Sequence, residues 1–346
     1  MTKAVALLSG GLDSTLAVKL MLDQGIEVHA LNFTSAFCTC SGSAKKELSG
    51  GCRSESMKVA RRFGIPIKVM VKGLDYIEIV RNPRYGRGKG INPCVDCRIY
   101  MFRRAGEYMA EIGASFIVTG EVLGQRPMSQ RRETMKIIER ESGLEGLILR
   151  PLCARQLEPT IPEKEGLVDR NKLLAITGRT RRPQIELADE LEVGDYPCPS
   201  GGCLLTDRIF SRKVRDLLDH KEEVTLRDLR ALKFGRHFRY RGAKVVVGRD
   251  EGENAKLKGL AEGEAILVEP VGFAGPVALI MDAPAGALSN GLRDFAAGLV
   301  VRYSAGKAGE GAKVKFTADP EEIGEAADFT VTAPLAEEVI EGARVC

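Results

Sequence analysis

The sequence predicts an α/β protein: a doubly wound parallel sheet followed by a second, smaller α+β domain. Three observations carry that expectation. Strand-like and helix-like stretches alternate through the first half, the first strand-like run ends in a Ser-Gly-Gly turn, and the charge pattern changes in the last third of the chain. The run Ala4-Val5-Ala6-Leu7-Leu8 has the continuity of a strand buried on both faces. Ser14 to Leu22 is helical by pattern, so residues 9–14 form a strand-to-helix turn. Glu27 to Phe33 reads as a second strand, residues 44–63 as a helix, Ile65 to Val71 as a third strand, Cys94 to Ile112 as a helix and Ser115 to Thr119 as a fourth strand. Between Gly73 and Asn92 the chain is rich in Gly, Pro and Arg and reads as a loop over the carboxyl ends of the strands, where such sheets bind ligands. Two short helical patterns occupy residues 162–192, and an amphipathic helix over 207–220 closes the first domain. The expected domains are residues 1–222 and 223–346, divided between Lys221 and Leu226.

The turn Ser9-Gly10-Gly11-Leu12-Asp13-Ser14 is the most informative local feature. It aims backbone N–H groups and a helix N-terminus at one point, an arrangement suited to phosphate. Gly10 and Gly11 let the backbone approach an anion, and Ser9 and Ser14 add hydroxyl donors. Asp13 adds negative charge where phosphate is expected. That makes sense if it helps hold a Mg²⁺ shared with the phosphates.

The chain has 346 residues, enough for more than one core, and a net charge of +4. No run of about 18 apolar residues occurs, and a strand begins at residue 3 with no leader before it, so a cytoplasmic protein with no membrane association is expected. The nine cysteines, several in Cys-x-Cys or Cys-x-x-Cys spacing, favour metal, cluster or sulfur chemistry over disulfides in a reducing compartment. Residues 207–249 hold 13 Lys/Arg against 6 Asp/Glu, whereas 250–346 hold 8 against 17. Such a basic band points to a polyanion on one face.

The turn at 9–14 resembles the PP-loop, S-G-G-x-D-S, of ATP pyrophosphatases, which adenylate an oxygen and release pyrophosphate; no Gly-Lys-Ser/Thr of a Walker loop follows it. Val118-Thr119-Gly120-Glu121-Val122-Leu123-Gly124-Gln125 and Leu149-Arg150-Pro151-Leu152 extend the likeness. Over residues 1–206 the chain is similar to the adenylating domain of tRNA 4-thiouridine synthetases. The resemblance implies an adenine nucleotide alpha hydrolase-like sheet and ATP held by Ser9, Gly10, Gly11, Asp13, Ser14, Phe33, Thr119, Gly120, Glu121 and Gln125. Gly120 would permit close approach to ATP, Glu121 and Gln125 would meet ribose, metal or the acceptor base, and Phe33 would pack on adenine. Typical bacterial members add a THUMP module and sometimes a rhodanese module; neither is expected here, so RNA binding and sulfur delivery must be supplied differently.

Cys94 and Cys97 open a helix behind Pro93, where the helix dipole favours thiolate, and Pro197-Cys198-Pro199-Ser200-Gly201-Gly202-Cys203 supplies two more thiols. Thiouridine-forming PP-loop enzymes with a [4Fe-4S] cluster use a Cys-x-x-Cys pair and one distant cysteine. That resemblance implies Cys94, Cys97 and Cys203 as ligands, with Cys198 the alternative. A closed zinc site and a bare persulfide–disulfide pair remain open on the same residues. Cys38, Cys40 and Cys52 stay unassigned near the second strand, and Cys153 and Cys346 read as ordinary thiols.

Residues 233–241 interleave basic and aromatic side chains, which predicts a strand with cations on one face. With Val247-Gly248-Arg249 through Asn254 and Tyr303-Ser304, the segment from about 225 to 346 is similar to NFACT-R RNA-binding domains. Arg236, Arg239, Arg241 and Lys244 are the expected RNA contacts, and the basic loop from Arg81 to Lys89 is the second candidate. Together these features lead to an expected ATP-dependent tRNA sulfurtransferase making 4-thiouridine, with Asp13, Cys94, Cys97 and Cys203 as catalytic residues. ATP, Mg²⁺ and the cluster are its cofactors; tRNA and a sulfur donor, either free sulfide or a cysteine desulfurase, are its partners, and a homodimer is one assembly. The competing readings are 2-thiouridine synthesis and an RNA-binding factor whose nucleotide fold is not catalytic.

Overall fold

The computed structural model describes residues 1–38, 52–194, 203–261, 263, 265–283, 290–304, 311–317, 327–330 and 335–346, without the side chains of 52–54, 290 and 327–330. It divides into residues 1–207 and 208–346.

The first unit is built on five parallel strands, β1 (Lys3–Leu7), β2 (Glu27–Ser35), β3 (Ile67–Lys72), β4 (Phe116–Thr119) and β5 (Ile148–Leu149), in the order β3-β2-β1-β4-β5. Strand alternation sorts the core onto two faces. Ala4 and Ala6 join Leu16, Phe116 and Val118 on one side, while Val5 joins Val95, Ile99, Phe102 and Ile117 on the other. The first of these layers includes the helix Leu12–Leu22, the second the helix Cys94–Glu111. Because the order reverses between β1 and β4, the carboxyl ends of these two strands flank the crevice where a doubly wound sheet binds its ligand. The third strand runs one residue further than its apolar pattern suggests and ends at Lys72.

The second unit is a six-stranded antiparallel sheet of β6 (Arg236–Tyr240), β7 (Ala243–Val247), β8 (Ile266–Val271), β9 (Ala278–Met281), β10 (Lys313–Thr317) and β11 (Ala327–Thr330), in the order β11-β10-β8-β9-β7-β6. Val245 and Val247 face the helix Asn290–Arg302 through Phe295, Leu299 and Val300, and Val246 packs with Leu257, Leu279 and Met281 on the opposite face. The Gly248–Asn254 spacing has a structural cause. Asn254 Oδ1 accepts from Val277 N–H at 3.1 Å, and a Cβ on residue 248 would collide with that oxygen.

Two expectations need correction here. The boundary lies at 207/208, because the helix Arg208–His220 packs with the second sheet: Lys213 Nζ donates to Leu232 O at 3.3 Å and Gly235 O at 3.1 Å, and Asp216 pairs with Arg239 and Lys244. Nor do the cations of β6 share one face. The two-residue period puts Arg236 beside Phe238 and Tyr240, and Arg239 beside the buried His237.

Candidate functional site

A cleft of about 320 Å³ opens at the carboxyl ends of β1, β2 and β4. Ser9, Gly11, Asp13, Ser14, Phe33, Thr119, Gly120 and Glu121 line it, as the sequence leads one to expect. The turn is held by its own hydroxyls: Ser14 Oγ donates to Gly11 O at 2.9 Å and lies 3.1 Å from Ser9 Oγ. Gly11 stands at the N-cap of the helix Leu12–Leu22 with no side-chain cap, which leaves the helix end to a ligand.

Two glycines of the site are required by the fold itself. Gly10 has φ +78°, and a Cβ there would lie 2.5 Å from Ser56 N. A Cβ on Gly120 would lie 2.5 Å from the carbonyl carbon and oxygen of Asp13 and from Ser14 N. The close approach that Gly120 permits is therefore β4 against the phosphate-type turn itself.

Asp13 is anchored through one oxygen only. Its Oδ2 accepts from Gln125 Nε2 at 2.9 Å and Arg181 Nη2 at 3.1 Å, while its buried Oδ1 has no partner among the described residues. A lone buried carboxylate oxygen facing a phosphate-type turn suits a divalent cation shared with a nucleotide. Gln125 thus helps hold Asp13 in place.

Sequence reasoning missed the cations. Arg98, Arg126 and Arg181 all line the cleft, brought from a helix, a loop and the residue before another helix. Glu121, 2% exposed, sits between two of the guanidiniums that the fold gathers: its Oε2 accepts from Arg150 Nε at 3.1 Å, and Oε1 lies 3.4 Å from Arg98 Nε. Burial alone would lower the Arg150 pKa, but the charges of Glu121 and Glu139 outweigh it and hold it above its ordinary value. Arg150, from the Arg-Pro-Leu segment, therefore fixes Glu121, which steadies Arg98 at the cleft.

The thiols gather beyond the same helix. Cys94 and Cys97 occupy its first turn behind Pro93, and Leu204 N–H donates to Phe37 O at 2.9 Å, which brings Cys203 up to the segment holding Cys38. Lys72 Nζ donates to Cys97 Sγ at 3.3 Å and lies 4.4 Å from the Tyr76 ring centroid. Burial would lower Lys72, yet Cys97, Cys203 and Cys38 together hold it above its ordinary value. Burial pushes the Cys203 thiol up to about 11 against the pull of Lys72. Among the described residues no group of three His, Cys, Asp or Glu stands ready to hold a metal ion. Cys94, Cys97 and Cys203 are nevertheless the donor type an iron–sulfur group takes, and half-buried Lys72 beside Cys97 makes no ion pair with an Asp or Glu among the described residues. Cys198 and Cys40 lie outside the described residues, as does the Cys52 side chain. Cys153 is an ordinary buried thiol, raised to about 11 by burial and donating to Glu121 O at 3.4 Å.

In the second unit the four expected RNA contacts split. Lys244 is 5% exposed and bound to Asp216, and Arg239 Nη2 donates to Asp216 Oδ2 at 2.9 Å. Burial raises Asp216, but Arg239 and Lys244 outweigh it and hold the carboxyl below its ordinary value. Arg236 lies 4.4 Å from the Tyr303 ring centroid, Arg302 flanks the same ring at 5.9 Å, and Arg344 Nη2 donates to Tyr303 Oη at 2.9 Å. Exposed Arg241 lies 5.4 Å from the Tyr240 ring. Cations around a half-exposed tyrosine make a better stacking platform than the β6 row alone.

The fold and cleft define a doubly wound α/β unit with a polar cleft at its strand ends, followed by an antiparallel-sheet unit. Residues 1–161 match the family model described as thiamine biosynthesis protein (ThiI), and residues 235–341 match that of the NFACT protein RNA binding domain. A probable tRNA sulfurtransferase of Thermococcus kodakarensis is 30% identical over 54% of this chain and 44% of its own length. A tRNA-specific 2-thiouridylase MnmA 2 of Caldanaerobacter subterraneus is 27% identical over 68% of this chain and 64% of its own length. The chain therefore spans less than two thirds of either relative. A 4-thiouridine synthetase–RNA complex with bound ATP aligns at 22% identity and a TM-score of 0.36, covering 67% of this chain and 52% of that one. Among the described residues no helix is long and apolar enough to cross a membrane.

Proposed function

We propose that this protein is an ATP-dependent tRNA sulfurtransferase that makes thiouridine, 4-thiouridine first, in the cytoplasm. The observation that carries the reading is one helix: Cys94 and Cys97 stand in its first turn and Arg98, the next residue, lines the nucleotide cleft. Activation and sulfur chemistry are thereby adjacent. Mg-ATP would occupy the turn Ser9–Ser14, with the free Oδ1 of Asp13 toward the metal. A uridine carbonyl oxygen attacks the α-phosphorus, pyrophosphate leaves, and Arg98, Arg126 and Arg181 offset the charge that develops on the phosphate oxygens. Sulfur then displaces AMP from the base.

Cys94, Cys97 and Cys203, or Cys198 in place of the last, would hold a [4Fe-4S] cluster, with zinc as the alternative; when bound, the cluster supplies an electrophilic site for sulfur. The sulfur donor would be free sulfide or a cysteine desulfurase. The match to the NFACT RNA-binding model supports tRNA on the second unit, where Arg236, Arg241, Arg302 and Arg344 are the cations offered around Tyr240 and Tyr303. Arg239 and Lys244 would act there by shaping the strand pair through Asp216.

The reading is tested by pyrophosphate release from ATP with and without bulk tRNA, followed by nucleoside analysis that separates 4- from 2-thiouridine. Stimulation by tRNA supports it. A pyrophosphate rate indifferent to tRNA, or a tRNA product without sulfur, overturns it.

A further inference from the structure

We infer that the pocket beside β5 is a second nucleotide site, which takes a pyrimidine nucleotide with a keto oxygen on Arg150 and its phosphate at Lys136 and Lys164. The inference goes beyond the thiolation reading and does not depend on it.

The pocket encloses about 230 Å³ at the carboxyl end of the edge strand β5, lined by the helix Arg132–Ser142 and by residues from 154 to 164. Its lining shares no residue with the nucleotide cleft, and Arg150 joins the two. Arg150 Nε donates to Glu121 Oε2, which belongs to the cleft, and Nη1 pairs with Glu139, which belongs to the pocket. The remaining nitrogen, Nη2, is buried and has no hydrogen-bond partner among the described residues, although Arg150 is only 3% exposed and itself lines the pocket. A guanidinium so placed has lost its water with an N–H₂ group unused, and an acceptor in the pocket would complete it.

The rest of the lining says which acceptor. Met135, Ile148, Leu149, Leu157 and Pro159 supply apolar walls, which suit the faces of a flat ring. Lys136 and Lys164 are exposed, and their ammonium groups make no ion pair among the described residues. Of the pocket's carboxylates, Glu139 is held by Arg150 and Glu163 by Arg170. Among the described residues that leaves exposed Glu158 as the one unpaired carboxylate of the lining against two unpaired ammoniums, so an anionic group is favoured beside the lysines. The buried end differs. Glu121 and Glu139 already balance Arg150, so its last donor suits a neutral carbonyl oxygen better than a third carboxylate. A space of this size holds about eight waters, as many non-hydrogen atoms as uracil or cytosine carries and fewer than a purine does. A keto oxygen inside and a phosphate outside describe a pyrimidine nucleotide, free or as a residue of an RNA chain. Inorganic phosphate would meet the ammoniums and leave the apolar walls without a partner.

The test measures equilibrium binding of UMP to the full-length chain with the cleft filled by a methylene analogue of ATP, so that the cleft cannot take the probe. UMP should bind, and AMP should bind about tenfold more weakly or worse, because a purine overfills the space. Lys136→Met combined with Lys164→Met should weaken UMP about tenfold or more. The same variant should keep the affinity for the ATP analogue within about twofold, since both lysines are exposed and neither lines the cleft. Displacement by pentauridylate separates the two sources: UMP displaced makes the occupant an RNA residue, and UMP retained makes it a free nucleotide. Absence of UMP binding at about 1 mM, AMP bound as tightly as UMP, or an unchanged UMP affinity in the double lysine variant overturns the inference. No arm reads thiouridine, so failure of the thiolation reading would be seen separately.

Discussion

Replacing Gly120 by alanine tests whether β4 is shaped to receive the phosphate-type turn. The new Cβ would stand 2.5 Å from three backbone atoms of Asp13 and Ser14, none of which can rotate away as a side-chain tip can. Ordinary carbon contacts begin about an ångström further out, so β4 and the turn must separate by roughly that distance. Strain of this kind costs about 1–3 kcal/mol, and at about 2–4 °C per kcal/mol the melting temperature of the first unit should fall by roughly 3–10 °C. The functional cost should be larger. A shift of about 1 Å in Asp13 and Ser14 is expected to reduce tRNA-dependent pyrophosphate release by about 100-fold. Thermal melting and pyrophosphate release on the full chain measure the two effects. Gly11→Ala is the structural comparison, since its Cβ would meet nothing nearer than Ser9 Oγ at 3.5 Å. A Gly120→Ala protein with wild-type melting and wild-type pyrophosphate release would refute the reasoning.

Asp13→Ala should abolish pyrophosphate release while tRNA affinity, measured by filter binding, stays within about twofold of wild type. Asp216→Asn leaves buried Lys244 without its carboxylate and Arg239 with Asp282 alone, and should destabilise the second unit by about 3 kcal/mol in urea unfolding. Because Asp216 is held below its ordinary carboxyl value of 3.8, its stabilisation is full above that pH and is lost as pH falls through the folded-state value; the variant should lack that part of the acid slope. Arg150→Met leaves buried Glu121 with Arg98 alone and half-buried Glu139 without Arg150, and should cost about 3 kcal/mol together with ATP affinity, read by calorimetry. Cys94→Ala, Cys97→Ala and Cys203→Ala should each lose iron and thiolation after anaerobic preparation, whereas Cys198→Ala should keep much of both. Stoichiometric zinc without iron in the wild type would favour a closed structural site.

Local pattern made the sheet and its turn legible. Continuous apolar runs, the Ser-Gly-Gly junction and Pro93 before Cys94 each act within a few residues, and the elements they mark lie close to where those signals put them, but a helix, Asp75–Arg81, stands in the Gly-, Pro- and Arg-rich stretch that reads as a loop. The cations of the cleft were not legible for the converse reason. Arg98, Arg126 and Arg181 converge only through the topology, and an arginine carries no neighbour-dependent signature of its destination. Glu121 and Gln125 were recognisable as site residues, yet their partners, Arg150 and Asp13, lie 29 and 112 positions away, so their positioning roles emerge only in the folded chain. The same distance hid the fate of the basic strand: Asp216 precedes Arg239 by 23 positions and Lys244 by 28, and it takes both out of any simple phosphate-facing row. Lys72 gave no signal because an exposed Val71 precedes it and a glycine follows, a context that reads as a strand end.

The most direct test of the central claim is a single anaerobic reaction of the iron-reconstituted full chain with ATP, bulk tRNA and sulfide, in which AMP and thiolated nucleoside are quantified together. The account predicts thiouridine formed in step with AMP, both dependent on tRNA and both absent in Asp13→Ala. AMP produced at the same rate without tRNA, or tRNA left free of sulfur while ATP is consumed, would contradict it.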